Sequence, residues 1–561
     1  AARTVMMREH VSLEPIPRGF SPLRDAYQDP LKILMASVAF VLLIACGNLA
    51  GLMLARSAAR THEMSVRVSL GAPQGRLVRQ ILTESLTLAA IGGALSLLVA
   101  KWGTAALLKA AAGGPRALPL NANIGWRVLL FAFGIAMITG ILFGIGPALR
   151  LARSDLYETF RSGGRVLGSG GSHRLPLGRV LVVSQIALSL VLVTSAGLFV
   201  RTLQNLLSVD TGYQPDRTVT ALIDVRAAGI GYDQLPPLYQ RLLESVRAVP
   251  GVRSASLSLT GLATGSRRTS DYTIPGRDLP PAQRLGQENT VSPGFFETAG
   301  IPLLKGRAFT DADNASAPKV AIVSLTAAKQ FFGTDDIVGK RFGYGTPADV
   351  EIIGVVADAR VNSIRETPQR LVFYPLAQRP REYMNSVEIR VAGPPDAIMN
   401  GVKNAVTGVD KRLPLREVVT VKDLLERGLT RERLVARLAG AFGVIALLLA
   451  GIGLYGVIGY SVSRRTNEMG VRLALGASPA GVGMLVIRDS MTTVVVGLVL
   501  GLVLWFPLLG LTTKLVFGLS PHDPVTLAAG VALMALAGTI AALLPALRAS
   551  RVDPVEAIRA Q

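Results

Sequence analysis

Seven apolar blocks constrain what this chain can fold into: Ile33–Ala55, Leu82–Ala100, Val128–Leu149, Val180–Val200, Leu438–Tyr460, Thr492–Leu511 and Thr526–Leu547. Each holds roughly 20 residues, the length at which a helix crosses the ~30 Å hydrocarbon layer of a bilayer. Lipid offers no hydrogen bonds, so a spanning segment must satisfy its own N–H and C=O groups, which a helix does internally. One such block is compatible with a buried core helix. Seven together predict a multi-pass membrane protein, and half of the 561 residues are hydrophobic.

The formal charge of +21 is concentrated beside these blocks. Arg56–Arg79, Arg150–Arg179, Ser461–Arg488 and Arg548–Gln561 together carry 18 basic against 6 acidic residues. Positive loops mark the cytoplasmic side of a membrane, so the charge is read as topology and no nucleic-acid partner is expected. One loop runs against the rule: Lys101–Arg127 has four basic residues, no acidic ones, and an expected place outside. The single cysteine, Cys46, lies in the first block and excludes an intrachain disulfide. Ala1–Lys32 is polar and reads as the tail of something longer.

The chain contains a duplication. RTHEMSVRVSLGA (Arg60–Ala72) returns as RTNEMGVRLALGA (Arg465–Ala477), with nine of thirteen positions identical. Each copy follows an apolar block and is followed by two more, and the units end alike in PALRLARSDLYETFR (Pro147–Arg161) and PALRASRVDPVEAIR (Pro545–Arg559). Duplicated membrane units commonly pair about a pseudo-symmetry axis. The Gly/Ser-rich stretch Gly163–Gly178 between them has the composition of a flexible linker.

About 230 residues of globular composition separate the fourth block from the fifth. Alternation and β-branched runs predict strands at Arg217–Val225, Ser254–Leu259, Val320–Ser324, Val350–Asp358, Leu371–Leu376, Ser386–Val391 and Leu415–Val421. Helical spacing predicts helices at Gln234–Ala248 and Asp396–Thr407. The expected fold is therefore a membrane α-helical bundle of seven predicted spans plus an extracytoplasmic α/β domain of two subdomains.

Motifs for chemistry are missing from this sequence. GIGLYG (Gly451–Gly456) matches a dinucleotide fingerprint but sits inside an apolar span, where small residues serve helix packing. GTDDIVGKR (Gly333–Arg341) has the wrong glycine spacing for a phosphate loop and Arg where Ser or Thr is required. The four histidines are scattered without metal-ligand spacing. No catalytic or metal residue is expected. The span interiors carry essentially no ionisable groups, with Glu84 and Arg437 at span ends, which argues against a proton-coupled carrier.

The repeated stretch is read as a short cytoplasmic helix. Its apolar residues alternate, which alone fits strand or helix, but Gly71 and Gly476 stand where a C-terminal glycine would, with Pro73 and Pro479 soon after. Glu63 and Glu468 come early, where the helix dipole favours an acid. Near-identity of two copies suggests a shared docking task, against the plainer reading of a basic loop that fixes topology. A second cytoplasmic helix is predicted after the last span, with Asp553 as cap, Pro554 at the first turn and Glu556 following; Asp155 and Glu158 repeat the acids in the first copy.

At these residues the chain resembles the FtsX/MacB-like family of ABC transporter permeases, most closely its duplicated orphan permeases. The repeated RxxEMxVRxxLGA pattern and the PALR ends carry the resemblance, together with VSPGFFETAGIPLLKGRAFT (Val291–Thr310) and VEIIGVVADAR (Val350–Arg360), which are similar to a MacB-type periplasmic core. The resemblance implies residues 1–30 as the tail of a truncated first periplasmic domain, 31–162 as the first FtsX-like unit and 163–178 as linker. It implies 179–202 as a span, 203–432 as the periplasmic core and 433–561 as the second unit. It further implies no enzyme activity in the chain, ATP and Mg being bound by a separate ABC ATPase. The ATPase-coupling residues would be Arg60, Glu63, Met64, Arg67 and Gly71, with Arg465, Glu468, Met469, Arg472 and Gly476. The expected setting is a bacterial inner membrane, with the lipid bilayer and a periplasmic adaptor or target as further partners. The expected function is ATP-driven movement of the periplasmic domain, for export of a drug, peptide or lipid-linked substrate; the alternative is an activator of a periplasmic partner that translocates nothing.

Overall fold

The computed structural model describes residues 22–59, 74–111, 125–135, 137–138, 141, 177–344, 348–512, 516–520 and 523–551. They form two compact units: the helical residues up to Leu203 and from Arg431 onward, and an inserted unit, Gln204–Thr430.

Among the described residues three long helices precede the inserted unit: α1 (Pro22–Ala59), α2 (Gln74–Ala111) and α3 (Leu177–Leu207). α1 starts inside the stretch predicted to be a polar tail, and the first apolar block lies wholly within it. The second block lies in α2, whose apolar part is Ala89–Ala105. The third is described chiefly by a short apolar helix, Trp126–Ile135.

The inserted unit is built on one mixed sheet of eleven strands. Its first half pairs β1 (Thr218–Ile223), β2 (Val252–Ser258), β10 (Ser386–Val391) and β11 (Leu415–Thr420) in the order β11-β1-β10-β2, all antiparallel. α4 (Leu235–Arg247) joins β1 to β2, and α6 (Met399–Val409) joins β10 to β11, so two split β-α-β units interleave in a ferredoxin-like arrangement. Leu235, Leu238, Leu242 and Val246 recur at helical spacing on α4 and are buried against Val402 and Val406 of α6 and the sheet. The second half contains β4 (Leu285–Val291), β5 (Leu303–Gly306), β6 (Val320–Ser324), β8 (Val350–Val356) and β9 (Leu371–Pro375), with the short β3 (Thr269–Asp271) and β7 (Arg341–Phe342) at its flanks. Its separate core packs Tyr272, Phe331 and Phe342 against the strands and against α5 (Leu325–Phe332), which Ser324 caps by accepting the Ala327 N–H.

Two subdomains were expected, and two hydrophobic cores are present, but they share one continuous sheet. The seam is narrow: β2 and β4 pair only at Ser258 and Val291. Asn289 reinforces it, its Oδ1 accepting the N–H groups of Leu259 and Thr260 at 3.2 and 3.1 Å.

After α7 (Val421–Gly428), the chain returns through α8 (Thr430–Arg464), the short α9 (Thr466–Ala474), α10 (Pro479–Thr512) and α11 (Pro524–Ser550). Among the described residues five helices are long and apolar enough to cross a membrane: Gln28–Gly51, Gly178–Leu207, Thr430–Ser463, Pro479–Leu508 and Pro524–Ser550. Of these α3 is the hub, with 56% of its apolar stretch buried against 22–28% for the others. Lipid is as apolar as leucine, so such helices associate through close packing and polar contacts rather than hydrophobic drive. Glycines supply the closeness: a Cβ on Gly497 or Gly501 of α10 would press on Ile186 or Ala187 of α3. The outer helices turn Val496, Val499, Phe506, Leu536 and Ile540 outward, where lipid replaces water.

Candidate functional site

The first copy of the repeated stretch, with Arg60, Glu63, Met64, Arg67 and Gly71, lies outside the described residues, as do Asp155, Glu158, Asp553, Pro554 and Glu556. The second copy is described, and it is helical.

α9 spans Thr466–Ala474 with Arg465 at its N-cap position, Glu468 in its first turn and Arg472 in its last. Both charges complement the helix dipole. They also meet each other, Arg472 Nη2 donating to Glu468 Oε1 at 2.7 Å across one turn. Both side chains stay about half exposed.

The end of the helix is a Schellman motif. The N–H of Gly476 donates to Leu473 O (3.1 Å) and that of Ala477 to Arg472 O (2.9 Å). Gly476 sits at φ +95°, and a Cβ there would meet no neighbour, so it is the backbone angle that calls for glycine. Pro479 does more than stop the helix. It opens α10, and Ser478 accepts the Gly481 N–H at 3.1 Å as its cap.

The apolar alternation resolves into two faces. Met469 is buried and Leu473, one turn on, packs with it against Val462 of α8, Val482 and Val486 of α10 and Ala546 of α11. Val471 and Leu475 point outward, Leu475 being 83% exposed. One residue in two thus reads as strand-like in sequence while the 100° turn of a helix puts only the i, i+4 pair inward. The same packing brings the second sequence signature to the site: Ala546 and Ala549 of the PALR end share the Met469 cluster, and Arg548 Nη1 donates to the Tyr455 hydroxyl of α8 at 3.0 Å.

Two ion pairs in the bundle escaped the sequence reading. Arg179, near the start of α3, pairs with Asp489 of α10, and Arg465 Nη1 stands 3.8 Å from the same carboxylate. Arg201, near the other end of α3, pairs with Asp523, whose Oδ2 also accepts the Thr526 N–H at 2.8 Å and so caps α11 ahead of Pro524. The two arginines are 22 residues apart on one helix, or ~33 Å at ~1.5 Å per residue. That separation matches the hydrocarbon layer, placing both pairs at the interfaces where charge is tolerated. The Asp-Pro signature proposed at Asp553–Pro554 also stands at Asp523–Pro524 and could have marked this cap.

Comparison with known proteins agrees with this architecture. The FtsX-like permease C-terminal family matches residues 35–156 and 440–554, and the MacB-like periplasmic core domain family matches residues 180–409. The chain is an FtsX/MacB-like ABC transporter permease. This permease is 26% identical over 287 residues to the macrolide export ATP-binding/permease protein MacB of Wolinella succinogenes, covering 49% of the chain and 43% of that protein. It is 25% identical over 279 residues to the uncharacterized ABC transporter permease YknZ of Bacillus subtilis, covering 48% and 69%. The permease thus spans less than half the length of its MacB relatives, which fuse an ATP-binding part to the permease; the matched families contain permease and periplasmic core regions only. Among solved structures, it resembles the periplasmic region of MacB from Actinobacillus actinomycetemcomitans (11% identity, 40% of this chain and 97% of that one, TM-score 0.28). It also resembles the extracellular domain of YknZ (16% identity, 36% and 99%, TM-score 0.25). It is a multi-pass membrane protein with an extracytoplasmic domain, and permeases of this type work with ABC ATPase subunits.

Proposed function

We propose that this permease passes ATP-driven motion from a separate ABC ATPase to its extracytoplasmic domain, and that α9 is where the ATPase grips. The observation that carries the reading is the two-sided build of α9. Met469 and Leu473 key it into the bundle, so a push on the helix is a push on α8, α10 and α11. Its other side offers the Glu468–Arg472 pair beside exposed Val471 and Leu475, a mixed polar and apolar surface suited to a protein partner. Arg60, Glu63, Met64, Arg67 and Gly71 would give the first unit the same handle by sequence equivalence.

The cavity at the α1–α8 contact, about 20 Å³, has room for one water. A helix keyed into the bundle on one side and exposed on the other suits mechanical transmission for export of a drug, peptide or lipid-linked substrate. The same observation favours the second reading, an activator that moves a periplasmic partner and translocates nothing. Replacing Glu468 and Arg472 together by alanine tests the docking: membrane insertion should be unchanged, while co-purification with the cognate ATPase and its stimulation are lost. Unchanged binding and stimulation would remove α9 from the mechanism. ATP-dependent substrate movement in vesicles carrying both subunits separates export from activation.

A further inference from the structure

The two copies of the repeated stretch are offset by 405 residues, and the helices leading into them keep that offset in their packing. α1 ends at Ala59 and α8 at Arg464, which are equivalent positions. Asn48 and Gly453 are also equivalent, and they meet: a Cβ on Gly453 would collide with Asn48 Oδ1. Around them Gly47, Asn48 and Gly51 of α1 line the one-water cavity together with their counterparts Ile452, Gly453 and Gly456 of α8, beside Gln185 of α3. In the next layer Val41 and Ile44 pack in one cluster with their counterparts Ala446 and Leu449. Surfaces that meet through equivalent residues define an isologous contact. The equivalent positions advance in the same direction along both helices, so they are parallel and the pseudo-twofold runs along their length.

The contact is symmetric in position but not in chemistry. Asn48 Nδ2 donates to Leu449 O at 2.8 Å, an oxygen that also accepts Gln185 Nε2 of α3 at 2.7 Å, while Asn48 Oδ1 is buried without a partner beside the cavity. Two asparagines would put two amides into the space of one, and two glycines would leave the Leu449 carbonyl one donor fewer and the seam emptier. One of each fills it. We propose that Asn48 opposite Gly453 is what specifies pairing of α1 with α8 of the same chain over association of two chains through like helices. A buried polar residue that fixes which helices pair is a known use of such groups.

The test uses the full chain in native membranes, with Cys46→Ser as background and a protease site placed within Gly163–Gly178. Gly51→Cys and Val457→Cys are combined, because a Cβ on Gly51 would lie 3.9 Å from Val457 Cγ2. After oxidation and cleavage, the two fragments should run joined on a non-reducing gel at the mass of one chain and separate on reduction. Separate fragments after cleavage, or a species of twice the chain mass after oxidation without cleavage, would overturn pairing in cis. Native mass spectrometry of the chain without the cysteines guards against a folding failure: one chain per particle is expected, and two chains joined through this seam would overturn the proposal. For the specificity, Gly453→Asn in the cysteine background should cut the cross-link at least tenfold. An undiminished cross-link would refute the role of the Asn–Gly difference.

Discussion

Arg179 and Asp489 close an ion pair between α3 and α10, and the carboxylate is shared with Arg465 at the head of α9. α3 is the helix that continues by chain into the extracytoplasmic unit, so this carboxylate joins the proposed docking helix to the helix that leads outward. The side chains are some 40–50% exposed, so the pair contributes no more than about 1 kcal/mol. Asp489→Asn is expected to leave the thermal midpoint in detergent nearly unchanged yet to lower stimulation of the cognate ATPase. Arg179→Asp combined with Asp489→Arg should recover it. A large loss of stability, or no change in stimulation, would count against the link.

Met469 and Leu475 separate anchoring from docking. Met469→Ala deletes a buried side chain and is expected to cost about 2–5 kcal/mol, seen as a lower unfolding midpoint. Leu475→Ala removes an exposed one and should stay within about 0.5 kcal/mol while weakening capture of the ATPase. Equal stability for the two variants would contradict the two-faced description of α9.

Gly476 and Gly408 should respond oppositely to alanine. Gly476 holds φ +95°, so Gly476→Ala is expected to cost about 1–2 kcal/mol of local stability, read as faster hydrogen exchange across Thr466–Ala474. Gly408 lies in α6 with open space around its Cα. Gly408→Ala should stabilise the extracytoplasmic unit by about 0.5–1 kcal/mol.

Glu388 makes the extracytoplasmic unit pH-sensitive. It is fully buried on β10, and desolvation pushes its carboxyl up to about 7, against three donors, Thr220 Oγ1, Ser386 Oγ and the Leu262 N–H, that favour the charged form. The folded state therefore holds this proton more tightly than the unfolded chain does. The contribution is fully present below the ordinary glutamate value, declines as pH rises, and is gone once pH passes about 7. The total is about 3 kcal/mol. Hydrogen exchange of peptides covering Ser386–Val391 should speed up between pH 5 and pH 8 beyond the intrinsic rate change, and Glu388→Gln should abolish that excess.

Much of this architecture was legible in the order of residues. The apolar blocks announced the long helices because a bilayer imposes a length, and the strands of the outer unit showed as β-branched runs such as Val320–Ser324. The duplicated stretch pointed to α9, and its glycine and acid were read in the right places. Local signals missed what depends on distant partners. β4 (LGQENTV) is polar and mixed in composition, β5 (LLKG) is short, and both become strands only through pairing. The Arg179–Asp489 and Arg201–Asp523 pairs join residues over 300 positions apart, and no local pattern names such partners.

By itself the sequence determined that the chain crosses a membrane repeatedly, carries an outer α/β unit, and repeats one short basic element, because hydrocarbon thickness, strand alternation and helix termination act over a few to some twenty residues. Only the tertiary structure decided which half of that element is buried, that two cores share one sheet, and that Asn48 meets its own counterpart Gly453. Those outcomes depend on close packing, and packing is set by whichever side chain occupies the facing surface, wherever in the chain it comes from.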